Sequence, residues 1–575
     1  MKKLLRFLIH YKKESILAPL FKLFEATLEL FVPLVMAYII DVGIAGKNTE
    51  VILLMGGVLI LLAAVGLTAS VTAQFFAAKA AAGFATELRH ELFSHIQKLS
   101  FSDVDRMGTA TMITRMTSDV NQVQGAVNMV LRLFLRSPFI VLGAMVMAFF
   151  VDSRAALIFV VTIPALAIVI FGVLLINIPL YQKVQSALDT LLGRTRENLT
   201  GVRVLRAFNK QEEEKEKFSE ESGVLYRMQM ITGRISAVMN PVTHVIVNVA
   251  VIFLIWTGAV RVDVGILSQG QVVALVNYMS QILVELVKLA SLTVSLNKSV
   301  ACGNRIQELF EQKPGLVSGE NAVNDSGISD DKVVFSHVSM KYPGAGEESL
   351  TDIDFSVKNG ETIGIIGGTG SGKTSLVHLI PRFYDITAGS LLVNGVEVAD
   401  YPLDALRQKV GIVLQKSVLF EGTIRSNLLW GKKDATEEEM WEALRISQAE
   451  EIVKKRKKGL DEPVEQEGRN FSGGQRQRLA IARALVRRPE ILILDDSASA
   501  LDYATDAALR KSLREKLTDM TVFIVSQRAA SVKNADKIVV LDDGRIAGMG
   551  THKELIDTCE VYREIYESQY GKGAH

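Results

Sequence analysis

The chain has 575 residues, 49% of them hydrophobic, with 64 basic and 63 acidic side chains giving a formal net charge of +1. That length is too great for one compact domain, and a mean hydropathy of +0.25 places part of the chain in lipid. The near-neutral balance excludes nucleic acid as the main partner, and two cysteines far apart, Cys302 and Cys559, exclude a disulfide framework and suit a cytosolic face.

The N-terminus carries Lys2, Lys3, Arg6, Lys12 and Lys13, with no small-residue cleavage site after the first apolar run, so an uncleaved first span is expected. Roughly 20 apolar residues cross the hydrocarbon core. Six runs satisfy that length, near Ser15–Ile40, Val51–Ala77, Val130–Val151, Ala155–Ile178, Pro241–Val260 and Gln271–Leu292. Short connections poor in basic residues (Asp41–Glu50, Asp152–Arg154, Arg261–Gly270) alternate with long basic ones (Lys79–Met129, Pro179–Asn240). The positive-inside rule puts the long connections and both termini in the cytosol. Phe84–Met107 and Leu188–Phe218 keep apolar residues at helical spacing, so the helices are expected to run beyond the bilayer and end in cytosolic tips.

Ionisable residues fall inside these spans: Lys22, Glu25 and Glu29; Arg132 and Arg136; Glu285 and Lys288. Each costs about 2.5–3.5 kcal/mol at mid-helix on insertion scales. Their spacing of three and four residues fits a polar cavity for cargo, mutual pairing or a position near the headgroups.

Residues 316–331 fall in a stretch rich in Gly, Ser, Asn and Asp and read as a linker between a domain over 1–315 and another over 332–575. Beyond it the plainest strands are Val333–Phe335, Ile353–Val357, Thr362–Ile366, Val410–Leu414, Ile491–Leu494, Thr521–Val525 and Lys537–Leu541. Strands alternating with helices predict a mostly parallel sheet covered on both faces.

Three motifs carry chemistry. Gly367-Gly368-Thr369-Gly370-Ser371-Gly372-Lys373-Thr374 follows a strand and opens a helix at Ser375–Leu379. Its glycines free backbone N–H groups to surround phosphates, the helix start adds positive dipole, Lys373 reaches the β- and γ-phosphates and Thr374 offers a hydroxyl to Mg²⁺. Ser375 is included among the nucleotide-binding candidates. Asp495 ends an apolar strand and, with Thr374, forms a candidate Mg²⁺ set, and Gln415, after the strand Val410–Leu414, could reach either that metal or the attacking water, which makes it a catalytic candidate as well. Tyr342, ahead of the loop, offers an aromatic face to a base, although a packing tyrosine would look the same. Ser472-Gly473-Gly474-Gln475 opens a further helix rich in arginine. A serine N-cap before exposed glycines suits a γ-phosphate. The phosphate held by Gly367–Thr374 already has its own helix, so a second subunit's nucleotide is the natural client.

These motifs together resemble the ATP-binding-cassette (ABC) exporter family, as a half-transporter with six spans fused to one nucleotide-binding domain. The resemblance implies a multidomain fold: an all-α transmembrane domain of six long helices, then an α/β P-loop ATP-binding-cassette domain, with ATP and Mg²⁺ as ligands. Phe101–Asp119 and Glu197–Phe208 resemble the two cytosolic coupling segments, and Ser499-Ala500-Leu501-Asp502 is similar to the D-loop, which makes Asp502 a nucleotide-site candidate. Tyr342 matches the adenine-stacking position and Gln415 the Q-loop.

The chain departs from the family where hydrolysis is concerned. Asp496 stands where the general base is Glu, and Gln527 where the switch residue is His. A carboxylate drawn back by about 1 Å can cost roughly 100-fold in rate, and an amide does not exchange a proton as imidazole does. Val464-Glu465-Gln466-Glu467-Gly468 also lacks the family's Gly-Glu-Arg order ahead of Ser472–Gln475, which matches the family's signature. The expectation is a membrane-embedded subunit that exports amphiphilic compounds. Its own site is slow, and its intact signature completes the site of a different partner half-transporter. The alternatives are a homodimeric lipid or peptide exporter and an ATP-gated membrane regulator. Glu25, Glu29 and Glu285 suggest cationic cargo.

Overall fold

The computed structural model describes residues 2–319, 330–497 and 500–571. Two compact units emerge: residues 1–97 with 110–312, and residues 98–109 with 313–575. The short segment 98–109 lies between the second and third spans in sequence but clusters with the nucleotide-binding half. Residues 320–329, most of the expected linker, and Ser499 lie outside the described residues.

The first unit is built from six helices long and apolar enough to cross a membrane: Lys3–Ile44, Thr49–Lys98, Thr109–Val151, Ser153–Thr200, Gln211–Asp263 and Gln269–Glu311. At 1.5 Å rise per residue, even the shortest exceeds the roughly 20 residues a bilayer requires, so the helical extensions expected from the periodic pattern are present. Small residues let these helices approach closely. Ala69, Ala73, Ala77, Ala80, Ala81 and Ala85 are all buried on the second helix. Large apolar side chains such as Ile60, Val161, Ile168 and Trp256 remain exposed, as lipid-facing positions would be.

The short connections are tied by single carboxylates. Asp41 accepts hydrogen bonds from the Ser268 hydroxyl (2.5 Å) and the Gly270 amide (2.8 Å), joining the ends of the first and sixth helices. Asp152 caps the fourth helix through the Ala155 amide (2.7 Å) and pairs with Arg261 of the fifth (2.5 Å).

Of the readings of the intramembrane charges, pairing is what is found for Arg136, Glu285, Glu29, Lys288, Lys22 and Glu25. Arg136 donates to Glu285 (2.7 Å) and to Glu29 (2.6 Å), and Glu285 also accepts from Ser137 (2.7 Å) and Lys288 (2.9 Å). Lys22 donates to Glu25 (2.5 Å) and Ser70 (3.0 Å), and Arg132 to Gln74 (2.5 Å). Glu25, Glu29 and Glu285, the carboxylates behind the expectation of cationic cargo, are therefore all engaged by basic side chains.

Among the described residues the second unit contains twelve strands: β1 (Asp331–Met340), β2 (Leu350–Lys358), β3 (Thr362–Gly367), β4 (Ala388–Val393), β5 (Val396–Glu397), β6 (Val410–Val413), β7 (Gly422–Thr423), β8 (Pro463–Val464), β9 (Ile491–Asp495), β10 (Thr521–Val525), β11 (Lys537–Asp542) and β12 (Arg545–Gly550). A six-stranded sheet in the order β12-β11-β3-β10-β9-β6 is parallel except for β12. Its central strands are buried along their whole length (β9 and β10 throughout), which is the pattern of a sheet covered on both faces.

The expected single sheet needs one correction. Val333–Phe335 and Ile353–Val357 belong to a separate antiparallel sheet, β2-β1-β4-β5. The connection 341–349 between β1 and β2 is too short for the crossover a parallel pair requires, whereas the apolar runs themselves do not report direction. Phe335 stacks on Phe355 within that sheet at 4.7 Å. Glu490, just ahead of β9, joins the two sheets by accepting from Lys332 (2.5 Å), Asn394 (3.0 Å) and Lys409 (2.9 Å).

Candidate functional site

Strand β3 lies between β10 and β11 and delivers the glycine-rich loop at its C-terminal edge. Gly370 (φ +86°) and Gly372 (φ +90°) adopt left-handed backbone that favours glycine. A Cβ on Gly372 would stand 2.8 Å from both the Ser349 carbonyl and a Leu350 methyl, so no side chain fits there. At Gly368 and Gly370 the space is open, leaving a cradle bounded by backbone.

Lys373 begins the helix Lys373–Leu379 and is buried. Its Nζ donates to the Gly367 carbonyl (3.0 Å), the Gly368 carbonyl and the Ser371 hydroxyl (3.3 Å). Burial lowers its pKa, against the opposing pull of Asp496 and Asp495. The Thr374 hydroxyl donates to Asp495 Oδ1 at 3.0 Å. Asp495 is 1% exposed, and its pKa is raised, chiefly by burial.

Asp496 turns sharply off β9 with φ +44°, its amide donating to the Val525 carbonyl (3.0 Å). Its Oδ2 accepts from Gln415 Nε2 at a long 3.4 Å. Burial also raises this carboxyl's pKa.

These side chains line one cleft of about 520 Å³, with Tyr342, Ser375, Gln415, Asp495, Asp496 and Gln527 on its walls. The Tyr342 and Ser375 hydroxyls share a hydrogen bond (2.9 Å), and Tyr342 meets Tyr384 edge-on at 5.0 Å. The backbone cradle and the buried lysine fit a polyphosphate, and the adjoining Thr374 and Asp495 oxygens fit a hard divalent cation. When bound, Mg²⁺ there would neutralise phosphate charge. Glu347, Ser349, Ser526, Asp543 and Gly544 also line the cleft and went unread in the sequence, since nothing in their spacing marks them.

The turn Ser472–Gln475 is built differently. Ser472 N-caps the helix Gly473–Leu485 in a capping box: its hydroxyl accepts from the Gln475 amide (3.4 Å), and the Gln475 side chain accepts from the Ser472 amide (3.1 Å). Ser472 and Gly473 are exposed. Gly474 is held to glycine, since a Cβ would lie 2.9 Å from the Ala500 carbonyl. Among the described residues, Ser472, Gly473, Gly474, Gln475 and Asp502 do not line the Lys373 cleft. Asp502 is an exposed N-cap of the helix Tyr503–Lys516, accepting from Thr505 N (2.8 Å) and Oγ1 (2.9 Å). Ahead of the signature, the irregular Val464–Gly468 stretch contains Glu467 and Gly468 in left-handed backbone.

A phosphate cradle with metal-ligand oxygens, on a chain with six spans, is the equipment of a membrane transporter run on nucleotide. Comparison with known proteins agrees. The family model described as ABC transporter transmembrane region matches residues 15–286, and the model described as ABC transporter matches residues 350–499. The chain is 36% identical over 563 residues to an uncharacterized ABC transporter ATP-binding protein of Mycobacterium bovis, covering 97% of this chain and 96% of the relative. A Bacillus subtilis relative that carries the name "Putative multidrug export ATP-binding/permease protein YgaD" is 32% identical over 99% of both chains. The solved structure of a bacterial Atm1-family ABC exporter with ATP bound superposes with a TM-score of 0.80, covering 98% of this chain and 99% of that one at 22% identity, a likeness of fold. The chain belongs to the ABC transporter family. Its transmembrane and ATP-binding domains are fused in one chain, an ATPase-coupled, multi-pass membrane protein whose ATP-binding domain is cytoplasmic and takes ATP with Mg²⁺.

Proposed function

We propose that this chain is one half of a heterodimeric exporter, with a transmembrane domain over 1–315 and a nucleotide-binding domain over 332–575. In this reading it binds ATP firmly in its own cleft and hydrolyses it slowly there. Lys373 and the loop amides hold the phosphates, Thr374, Asp495 and Gln415 hold the metal, and Tyr342 stacks on the base. Ser472–Gln475 and Asp502 serve a different subunit's nucleotide. Nucleotide-driven closure of the two domains turns the spans outward, and hydrolysis at the partner's site resets them. The drive is the difference in ATP affinity between open and closed states.

One observation carries the reading: the two cleft positions from which a water would be activated hold Asp496 and Gln527. Gln415 stands within 3.4 Å of Asp496 on the same wall of the cleft, which supports placing both at one centre. The multidrug-export names of relatives support amphiphilic cargo.

The test is to purify the chain alone, reconstitute it and measure ATP turnover. Slow turnover is expected, together with firm ATP binding. Brisk turnover abolished by Lys373→Ala, with unaided transport, would overturn the slow-site reading and favour a homodimer.

A further inference from the structure

His378 sits one turn into the helix that starts at Lys373, and neither the phosphate loop nor the metal set uses it. Its Nε2 is buried with no hydrogen-bond partner and lies 3.7 Å from Asp495 Oδ2, the oxygen opposite the one that Thr374 engages. Burial lowers the imidazole's pKa, with Asp105 pulling the other way.

The other side of the ring meets an aromatic socket. Phe383 abuts it edge-on at 5.4 Å, and Tyr384 runs nearly parallel to it at 6.4 Å. The same two residues seat the short helix Phe101–Met107. Phe101 stacks on Phe383 with centroids 4.4 Å apart, and the Tyr384 hydroxyl donates to Asp105 Oδ2 at 2.7 Å. That helix is fixed at its start by the Ser100–Asp103 capping box, and Asp103 also accepts from the Gly315 amide (2.8 Å). One imidazole therefore touches both the innermost carboxylate of the cleft and the seat of the segment that joins the second and third spans.

We propose that His378 is a positioning residue that holds Asp495 in register with the Phe383–Tyr384 socket, so that filling the nucleotide cleft is felt at Phe101–Met107. The physical basis is general. A metal-ligating carboxylate is oriented by the groups behind it, and close-packed rings transmit a displacement because they cannot absorb it. The inference rests on Asp495 belonging to the nucleotide site. It does not require that site to hydrolyse.

The experiment uses the full chain in lipid nanodiscs with the Mg²⁺ complex of a non-hydrolysable ATP analogue. It reads nucleotide affinity by titration and amide hydrogen exchange in the peptide covering residues 98–109. In the natural chain, saturating nucleotide is expected to slow exchange there by about threefold or more. His378→Ala is expected to erase that slowing while affinity stays within about threefold. His378→Gln, which restores a polar donor, is expected to recover part of it, and Phe101→Ala to erase it equally. Full slowing in His378→Ala would overturn the proposal. So would a loss of nucleotide affinity in both His378 variants, because the residue would then merely build the pocket. Asp495→Asn separates the two readings. If it leaves the Mg²⁺ dependence of binding unchanged, the site assignment fails. If it alters that dependence while His378→Ala changes nothing, the positioning role alone fails.

Discussion

Charged groups are handled in opposite ways in the two units. In the membrane unit Arg136 is locked between Glu285 and Glu29, with Ser137 and Lys288 completing Glu285. In the cleft, Lys373 leans on its own loop's carbonyls while Asp495 and Asp496 are held in surroundings that disfavour their charge. Charge that serves the fold is neutralised within the chain. Charge that serves a ligand is left in an environment the ligand improves. Removing the first kind should cost stability, and removing the second should cost function with little loss of stability.

The largest effect is expected at Arg136. Arg136→Leu removes the cation shared by Glu285 and Glu29 and leaves buried Glu285 to Lys288 and Ser137, which should destabilise the protein by about 3 kcal/mol. The double change with Glu285→Leu should recover much of that, and thermal unfolding in detergent checks both. Next comes the cleft. Lys373→Ala should weaken ATP binding by about 100-fold with a melting temperature near that of the natural chain. Ser472→Arg should leave binding at this chain's cleft within about twofold, yet stop ATP turnover in the assembled transporter. If Ser472→Arg abolishes binding at this chain's own cleft, the assignment of the signature to another subunit's nucleotide fails.

Restoring the family's residues at the two departing positions should have a smaller effect. Asp496→Glu together with Gln527→His should raise turnover about tenfold above the product of the single changes, because both act on one centre. Independent effects would separate them.

The smallest effect sharpens the comparison from inside the nucleotide unit, where Glu490 is a charge of the structural kind. Burial pushes its carboxyl up, but Lys332, Lys409 and Asn394 outweigh that and bring it down to about 2. A depressed carboxyl stabilises the fold above its unfolded range and loses that contribution as pH falls toward 2. Glu490→Gln should therefore cost about 1 kcal/mol at neutral pH, the group being 39% exposed and screened. The gap from the natural chain should close as the pH is lowered from about 5 toward 2.

The sequence made the six spans legible because each needs only one uninterrupted apolar run, and the nucleotide cradle because its glycines, lysine and flanking strand are contiguous. Local charge pairs were legible for the same reason: Lys22 with Glu25, and Glu285 with Lys288, are helical neighbours. The bond from Arg136 to Glu285 was not, since 149 residues separate them and only packing brings their helices together. The antiparallel sheet was missed because alternation of apolar residues marks a strand without its direction. His378 was invisible as well. A lone histidine on a short helix has no pattern, and its meaning comes from Asp495 on one side and Phe383 on the other.

Asp496 has a consequence beyond its reach. Its left-handed backbone is a conformation that aspartate tolerates better than most non-glycine residues, because a short polar side chain crowds it least. A longer acid would extend further into the cleft but sit less comfortably on that turn. In the slow-site reading proposed above, the position sets conformational ease against chemical competence, and a chain relieved of the second demand would be free to drift toward the first.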